Sequence, residues 1–324
     1  MTVWLIRRLL QAATILLLMT LIVFFGLHVI GNPIDILVAE DATQAERARM
    51  IASLGLDQPL WIQYCVFLAN ALQGDLGQSY VYNMPALPLI LQRLPATFEL
   101  AFAATGLAIL IGIPLGLLAG LYPDRWFARM IMGGSIIGFS LPTFWVGLLL
   151  IMIFSVSLGW LPSTGRGETV SIMGYGWSFL TLDGWRHLLL PALNLALFKV
   201  ALVLRLTRAG VREVLPQDYI RFARANGIAP KRIIGIHVLK NTLIPLVTVI
   251  GLEFGSTIAF AVVTESIFAW PGAGKLIIDS INALDRPVIV AYLMIVVCLF
   301  VMINLCVDIL YRLLDPRVRL EAGA

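Results

Sequence analysis

Charge is what this sequence has least of. Only 13% of its 324 residues are Asp, Glu, Lys or Arg, against roughly 25% in an ordinary soluble domain. Hydrophobic residues make up 60% and the mean hydropathy is +0.91. A chain so poor in charge cannot keep most of its surface in water, so lipid is the solvent for most of it. Cysteine is nearly as scarce. Cys65, Cys298 and Cys306 are an odd number, two in one late apolar run and the third alone, which argues against a disulfide framework or a thiolate metal site. The three histidines, His28, His187 and His237, are far apart, with no His-x-x-x-His or Glu-x-x-His pair, so no metal site is expected. No Ser/His/Asp or paired-carboxylate pattern suggests an intramembrane enzyme. The net charge of +4 comes without zinc spacing or an aromatic-basic platform. That excludes a nucleic-acid partner and makes the positive charge a matter of membrane topology.

Long apolar runs are what the sequence has instead. About 20 apolar residues cross a bilayer as a helix, which places spans near 9–30, 97–121, 130–157, 188–208, 243–266 and 288–310. The fold class expected is therefore all-α and polytopic, with six transmembrane helices. Arg7 and Arg8 before the first run could suggest a signal peptide, but the run is too long and no small-x-small site closes it, so it reads as a retained span. Basic residues set the orientation. One set of alternate segments carries Arg7, Arg8, Arg125, Arg129 and the cluster from Arg205 to Lys240. The other, though longer, holds Arg47, Arg49, Arg93, Arg166, Arg186, Lys275 and Arg286. The first set is expected to be cytoplasmic, with both termini. The segment 31–96 is then external, and its apolar stretch Leu60–Leu68 is too short to span, so it should lie on the membrane surface or against the spans.

Charged residues inside lipid are costly and usually functional. Lys199, near the middle of span four, and Glu253 are candidates for the translocation path; the alternative for Lys199 is a pair with a carboxylate or carbonyl at a helix contact. Glu265 falls at the external end of span five and should orient the loop after it, while Glu99 and Asp308 sit near span ends, as interfacial groups would. Gly272-Ala273-Gly274-Lys275 is not a phosphate loop, because the pattern needs Gly at 269 and Ser or Thr at 276.

The most informative stretch runs from Asp218 to Asn241 and reads as helix, turn, helix. Gly227 stands where the first helix needs a left-handed residue, and Pro230 where the next accepts a fixed φ without losing a bond. The first helix should present Tyr219, Phe222 and Ala223 on one face with Arg221 and Arg224 elsewhere. Such a surface suits a protein partner; the alternative is a basic segment that enforces topology and contacts lipid phosphates.

This stretch resembles the EAA loop of ABC importer permeases, in the form found in the dipeptide/oligopeptide/nickel permease family. Gly227 matches the loop glycine, and residues 218–225 match the family's Asp-Tyr-x-Arg-x-Ala-Arg-Ala variant; Glu-Ala-Ala itself is replaced by Arg221, Phe222 and Ala223, and the Ile-x-Leu-Pro ending by His237-Val238-Leu239-Lys240. Further matches cover nearly the whole chain in order. They are Arg7-Arg8-Leu9-Leu10, Gly31-Asn32-Pro33, residues 54–60, residues 74–79, residues 93–97, Pro142-Thr143-Phe144-Trp145-Val146-Gly147, Gly159-Trp160-Leu161-Pro162, residues 187–193 and residues 265–274. The long segment after span one resembles the first of the two permease subunits.

The resemblance implies a type I ABC importer permease-like architecture in a bacterial inner membrane. Its segments would be an N-terminus with the first helix (1–30), an external segment (31–96), a five-helix core (97–312) containing a coupling loop (209–241), and a cytoplasmic tail (313–324). It implies a second permease subunit, two cytoplasmic ATPase subunits that bind ATP and Mg, and an extracytoplasmic solute-binding protein, with no cofactor in this chain. Asp218, Tyr219, Arg221, Phe222, Ala223, Arg224 and Gly227 would couple to the ATPase. Asp57, Asp75, Glu265, Pro271 and Gly272 would serve an external gate or binding-protein contact. Peptides are the expected solute, with nickel chelates, glutathione, opines or oligosaccharides as alternatives. A self-sufficient secondary transporter would need its own coupling residues and an internal repeat, and no clear repeat is seen.

Overall fold

The computed structural model describes residues 2–30, 43–53 and 57–314; the Gly31-Asn32-Pro33 match, Leu54 to Leu56 and the end of the tail lie outside them. The chain separates into two compact units, residues 1–91 with 279–298, and residues 92–278 with 299–324.

In the first unit, helix α1 (Thr2–Ile30) carries an apolar stretch, Ile6–Gly26, long enough to cross a membrane. Helix α2 (Gln44–Ser53) begins with a reciprocal cap, in which Glu46 N donates to Thr43 Oγ1 at 3.4 Å and Thr43 N donates to the Glu46 carboxylate at 2.8 Å. Those bonds hold the Glu46 carboxyl below its ordinary range. Helix α3 (Leu60–Leu72) is the short apolar stretch of the external segment, and it lies against α1. Tyr64 Oη and Thr20 Oγ1 are 2.8 Å apart, and the Phe24 ring meets Tyr64 and Phe67 at 5.4 and 5.8 Å. The turn before residue 86 is held by Asp285, fully buried, whose carboxylate accepts from Ser79 Oγ, Tyr80 N at 3.1 Å and Val81 N at 3.4 Å. Burial there pushes the Tyr80 phenol above its ordinary range.

The second unit is built around helix α7. In chain order come α4 (Ala86–Leu121), α5 (Trp126–Ser140), α6 (Thr143–Leu150, continued as a π-helix over Ile151–Ser157), and the hairpin β1 (Val170–Ile172) with β2 (Tyr175–Trp177), followed by α7 (Leu182–Val214). The hairpin pairs antiparallel with Val170 opposite Trp177. After α7 come α8 (Asp218–Ala225), α9 (Pro230–Arg232), a π-helix over Ile233–Val238, α10 (Leu239–Phe260), α11 (Val262–Ile267), α12 (Ala273–Asn282) and α13 (Arg286–Leu314). α4, α12 and α13 straddle the two units. More than half of α7's most apolar stretch, 56%, is buried, against 17% to 33% in the other long helices.

Glycine lets α4 reach α7. Gly112, Gly116 and Gly120 lie one helical turn apart and face Val203, Leu204 with Thr207, and Val211 in turn; a methyl carbon on Gly116 would stand 2.5 Å from the Leu204 carbonyl oxygen. Without a hydrophobic drive between helices in lipid, such close approach is what makes them associate. Ala96 and Leu100 pack on Leu188 and Ala192 with Trp270 at the other end of the same seam. The numbers on α4 and α7 rise together, so the two helices run parallel. The chain between them must therefore return across the membrane. α10 instead runs antiparallel to α7: Gly210 meets Thr242, and Lys199 meets Glu253. α13 in turn runs antiparallel to α10, with Val307 against Gly251 and Ile303 against Gly255.

Two expectations need correcting. The third span is not one helix over 130–157: α5 and α6 are bent by 104° at Ser140–Pro142. Leu141 is extended (φ −81°, ψ 135°), the conformation that the ring of a following proline favours. Among the described residues five helices qualify as spans on their own, and the bent pair, taken as one span, makes a sixth. It has to cross, because it is the apolar part of the return from α4 to α7. The fifth span does not begin at 243 after a separate helix. Residues Pro230–Phe260 form one continuous helical rod of 31 residues, and the helix is interrupted after Phe260. Pro245 lies inside that rod without ending it.

The seam makes a prediction. Replacing Gly116 with Val should destabilise the purified chain in detergent by ~1–3 kcal/mol, the range typical of overpacking, and so lower its melting temperature. Gly106→Val is the control, since a methyl carbon there meets nothing within 4 Å. Equal melting of the two variants would mean that the α4–α7 contact is not tight.

Candidate functional site

The stretch from 215 to 241 closes one end of the second unit. α8 ends in a complete left-handed C-terminal motif. Ile228 N donates to Ala223 O at 3.1 Å and Gly227 N to Arg224 O at 3.0 Å, with Gly227 at φ +72°. Pro230 then occupies the first position of the next helix. A methyl carbon on Gly227 would meet nothing within 4 Å, so glycine is needed there for its backbone conformation and not for space.

The two faces of α8 differ from the expected division. Ile220 and Ala223 are the buried residues, packed with Val211, Ile233 and Val238 and against Leu117, Leu121 and Ile228. Tyr219 and Phe222 point outward, 44% and 70% exposed, beside exposed Asp218, Arg221 and Arg224. Ala223 therefore belongs to the anchor and not to the presented face: it lies three residues after Ile220, on the side that α7 and the 233–238 turn cover. Asn241 Nδ2 donates to the Tyr219 hydroxyl at 3.1 Å, which ties the outer face to the start of α10.

Lys199 and Glu253 meet within the helices. Lys199 Nζ donates to the main-chain oxygen of Glu253 at 2.7 Å and lies 3.3 Å from its carboxylate. The pairing alternative thus holds with both a carbonyl and a carboxylate, while the same two residues also line a cleft with Thr105 and Ile109.

Glu265 is fully buried. Its carboxylate accepts from Thr97 Oγ1 at 2.7 Å and from Lys275 N at 2.8 Å. A methyl carbon on Gly272 would collide with that carboxylate, and Gly274 is nearly as close. Trp270 Nε1 donates to Ala96 O at 2.8 Å, and Ala269 takes φ 46° to bring the indole in. Glu265 therefore orients the following loop, as its position at the end of span five suggested. Neither it nor buried Gly272 can serve as a contact surface, since the 267–275 turn is folded around the carboxylate; Pro271 is half-buried. Asp57 and Asp75 are exposed in the first unit, Asp75 accepting from Gly77 N at 3.0 Å.

Glu99, expected as an interfacial group near a span end, is instead buried and paired. It is 4% exposed, and its carboxylate is 2.7 Å from Arg166 Nη2 and accepts from Ser178 Oγ at 2.8 Å and Ser178 N at 2.5 Å. Arg166 also donates to Gly176 O at 2.6 Å, so one carboxylate holds both sides of the 166–178 hairpin. The available signal was an acidic residue in an apolar run with Arg166 as a candidate mate, but nothing in the spacing links positions 67 apart. Among the described residues, no three His, Cys, Asp or Glu side chains gather as a metal site.

With this geometry in place, comparison with known families is decisive. The model described as "Binding-protein-dependent transport system inner membrane component" matches residues 112–320, and its N-terminal counterpart matches residues 1–101. The chain belongs to this family. It is a multi-pass membrane permease of ABC importers and not itself an enzyme. It is 40% identical to the di/tripeptide transport system permease protein DppB of Pseudomonas aeruginosa strain UCBPP-PA14, over 93% of this chain and 94% of that one. It is 42% identical to the oligopeptide transport system permease protein AppB of Bacillus subtilis strain 168, over 98% and 99%. Its fold is shared with an inward-facing MetNI methionine ABC transporter, at a TM-score of 0.57 and 18% identity, over 70% of this chain and 96% of that one.

Glu99→Gln in this permease should release the hairpin. Breaking a buried ion pair costs ~3–5 kcal/mol, so amide exchange over residues 166–178 should accelerate strongly while exchange in α7 beyond residue 190 stays slow. Unchanged protection of the hairpin would show that the Glu99 charge is not what holds it.

Proposed function

We propose that this permease is the first of two membrane subunits of an ATP-driven, binding-protein-dependent importer of di- and oligopeptides in a bacterial inner membrane, with both termini cytoplasmic. The observation that carries the coupling half of the reading is the exposed Phe222 on a basic helix whose opposite face is locked to the spans by Ile220 and Ala223. An aromatic knob with an arginine rim on a rigid base suits a cleft in a protein partner. The peptide half is supported by relatives named for di/tripeptide and oligopeptide transport.

On this reading two ATPase subunits bind ATP and Mg and grip α8 through Tyr219, Arg221, Phe222 and Arg224, with Asp218 at the start of α8 and Gly227 setting its angle. A second permease subunit completes the pathway. A solute-binding protein docks on the external side, where exposed Asp57 and Asp75 belong. Closure of the ATPases displaces the 209–241 loop and switches the five-helix core between inward and outward access. A switch of this kind needs contacts that differ between its two states.

The direct test is gentle purification of the tagged chain from its native membrane, with co-purifying subunits identified by mass spectrometry and ATPase activity assayed. A second permease and ATPase subunits are expected; a chain that purifies alone and inactive would overturn the reading. Within the assembled complex, Gly227→Val should insert normally yet abolish ATP-driven uptake, because a β-branched residue opposes the φ of +72°. Arg224→Glu should reduce the yield of co-purified ATPase, and an undiminished yield would place Arg224 outside the contact.

A further inference from the structure

The start of the rod from Pro230 to Phe260 carries one residue more than an α-helix would need there. Ile233, Val238, Thr242 and Leu246 are its buried positions on the side of α7, at steps of five, four and four. In an α-helix residues four apart share a face, whereas residues five apart lie about 140° from each other. The π-helix over Ile233–Val238 removes that conflict. Leu239 N donates to Ile234 O, five residues back, and a turn closed by such bonds brings residues five apart nearly into line. Just before it the spacing is α-helical, with Ile233 N donating to Ala229 O at 3.1 Å. The extra residue is therefore confined between Ile233 and Val238, next to the link with α8.

Beyond the π turn the rod is fixed against α7: Val238 packs with Val211, Thr242 stands over Gly210, and Leu246 packs with Val203. Before it, Asn226, Gly227 and Ala229 form an exposed link to α8. If the turn took α-helical spacing, the residue four before Val238 would enter the buried stripe. That residue is Ile234, a second isoleucine, half-buried as it stands. The seat beside Ile220 and Ala223 would thus stay filled by the same side chain. Gly235 is exposed, and a methyl carbon on it would meet nothing within 4 Å, so no packing at that position opposes the change. We propose that the π turn is a two-register joint for the coupling helix. With Ile233 seated, the extra residue is held in the turn. With Ile234 seated, it passes into the link and lets α8 shift by up to ~3.5 Å, the length of one extended residue, while the rod keeps its place on α7. Asn241 holds the first register, donating to His237 O at 2.7 Å and to the Tyr219 hydroxyl at 3.1 Å. The inference rests on the coupling reading above and names the element that lets α8 move.

The test uses the assembled complex in proteoliposomes with its binding protein, and reads dipeptide uptake per ATP hydrolysed. Deleting Gly235 leaves a step of four between Ile233 and Val238, so an α-helix seats Ile233 and the placement of α8 is kept, but the second register is gone. The deleted chain should co-purify with its ATPases in normal yield, and uptake per ATP should fall by roughly tenfold. Inserting Ala after His237 in the deleted chain restores the residue count, and uptake should return with it. A π turn that only shapes the helix predicts the opposite, since the deletion then changes nothing that transport needs. Wild-type uptake per ATP in the deleted chain would overturn the two-register joint. If the deletion costs the complex its ATPases, Ile234→Asn decides: it keeps the observed register and puts an amide into the seat of the other. Normal assembly with uptake lowered roughly tenfold supports the joint, and wild-type uptake per ATP overturns it. Absence of ATP-driven uptake by the wild type would instead overturn the importer reading, and the joint with it.

Discussion

The close approach of α4 to α7 is the contact on which the rest of this permease depends. Gly112, Gly116 and Gly120 bring the backbone of α4 against Val203, Leu204, Thr207 and Val211. At one end of the seam it leaves a space that Trp270 fills. At the other it brings Leu117 and Leu121 to the floor on which α8 rests. The parallel run of the two helices also obliges the chain to cross back between them. A span broken at Pro142 is acceptable because neighbouring helices can satisfy the freed backbone groups.

Three acidic groups are accommodated in three ways. Glu99 has a guanidinium, a hydroxyl and an amide, all from one hairpin, and no capacity left for a ligand. Glu265 is wrapped by its own loop, which two glycines allow to close over it. Glu253 is the partly exposed one, and the cation beside it is anchored more closely to its carbonyl than to its carboxylate. Buried charge is expensive in all three places. In the first two the bonds pin irregular chain, where a sequence needs rigid punctuation between spans. In the third they join two regular helices that also pack through Leu246 and Val203.

How much of this was legible in the sequence follows from the range of each signal. The apolar runs, the left-handed Gly227 and the helix start at Pro230 are local, and local chemistry decides them. The short helix Leu60–Leu72 was recognisable for the same reason: its length forbids spanning. Two features follow from longer-range effects. Pro142 breaks its span while Pro245 does not break the rod from 230 to 260, and the difference is whether neighbours hold the residue before the proline in helical or extended form. Ala223 turned inward because α8 is positioned by Val211 and Val238, residues outside its own stretch. The partners of Glu99 and Asp285 are 67 and more than 200 positions away, beyond any spacing rule. The coupling set was therefore readable as a segment but not as a face, and the pair Lys199–Glu253 as two charges but not as one contact.

The arrangement of these parts bears on how a push at α8 would travel. α8 is the whole link between α7 and the rod that becomes α10, and its buried face holds residues from both sides of that link: Val211 from α7, Ile233 and Val238 from the π-helical start of the rod. π-helical turns are rare and concentrate where helices do functional work. A rod of 31 residues is ~46 Å long at 1.5 Å per residue, so it carries a displacement at one end of the bundle to the other without intermediate loops. Along the way α7 and the rod touch at Gly210 with Thr242, Val203 with Leu246, and Lys199 with Glu253. The first two are close apolar or glycine contacts that resist sliding. The third is an ion pair in which the Lys199 ammonium also donates to the Glu253 main-chain oxygen.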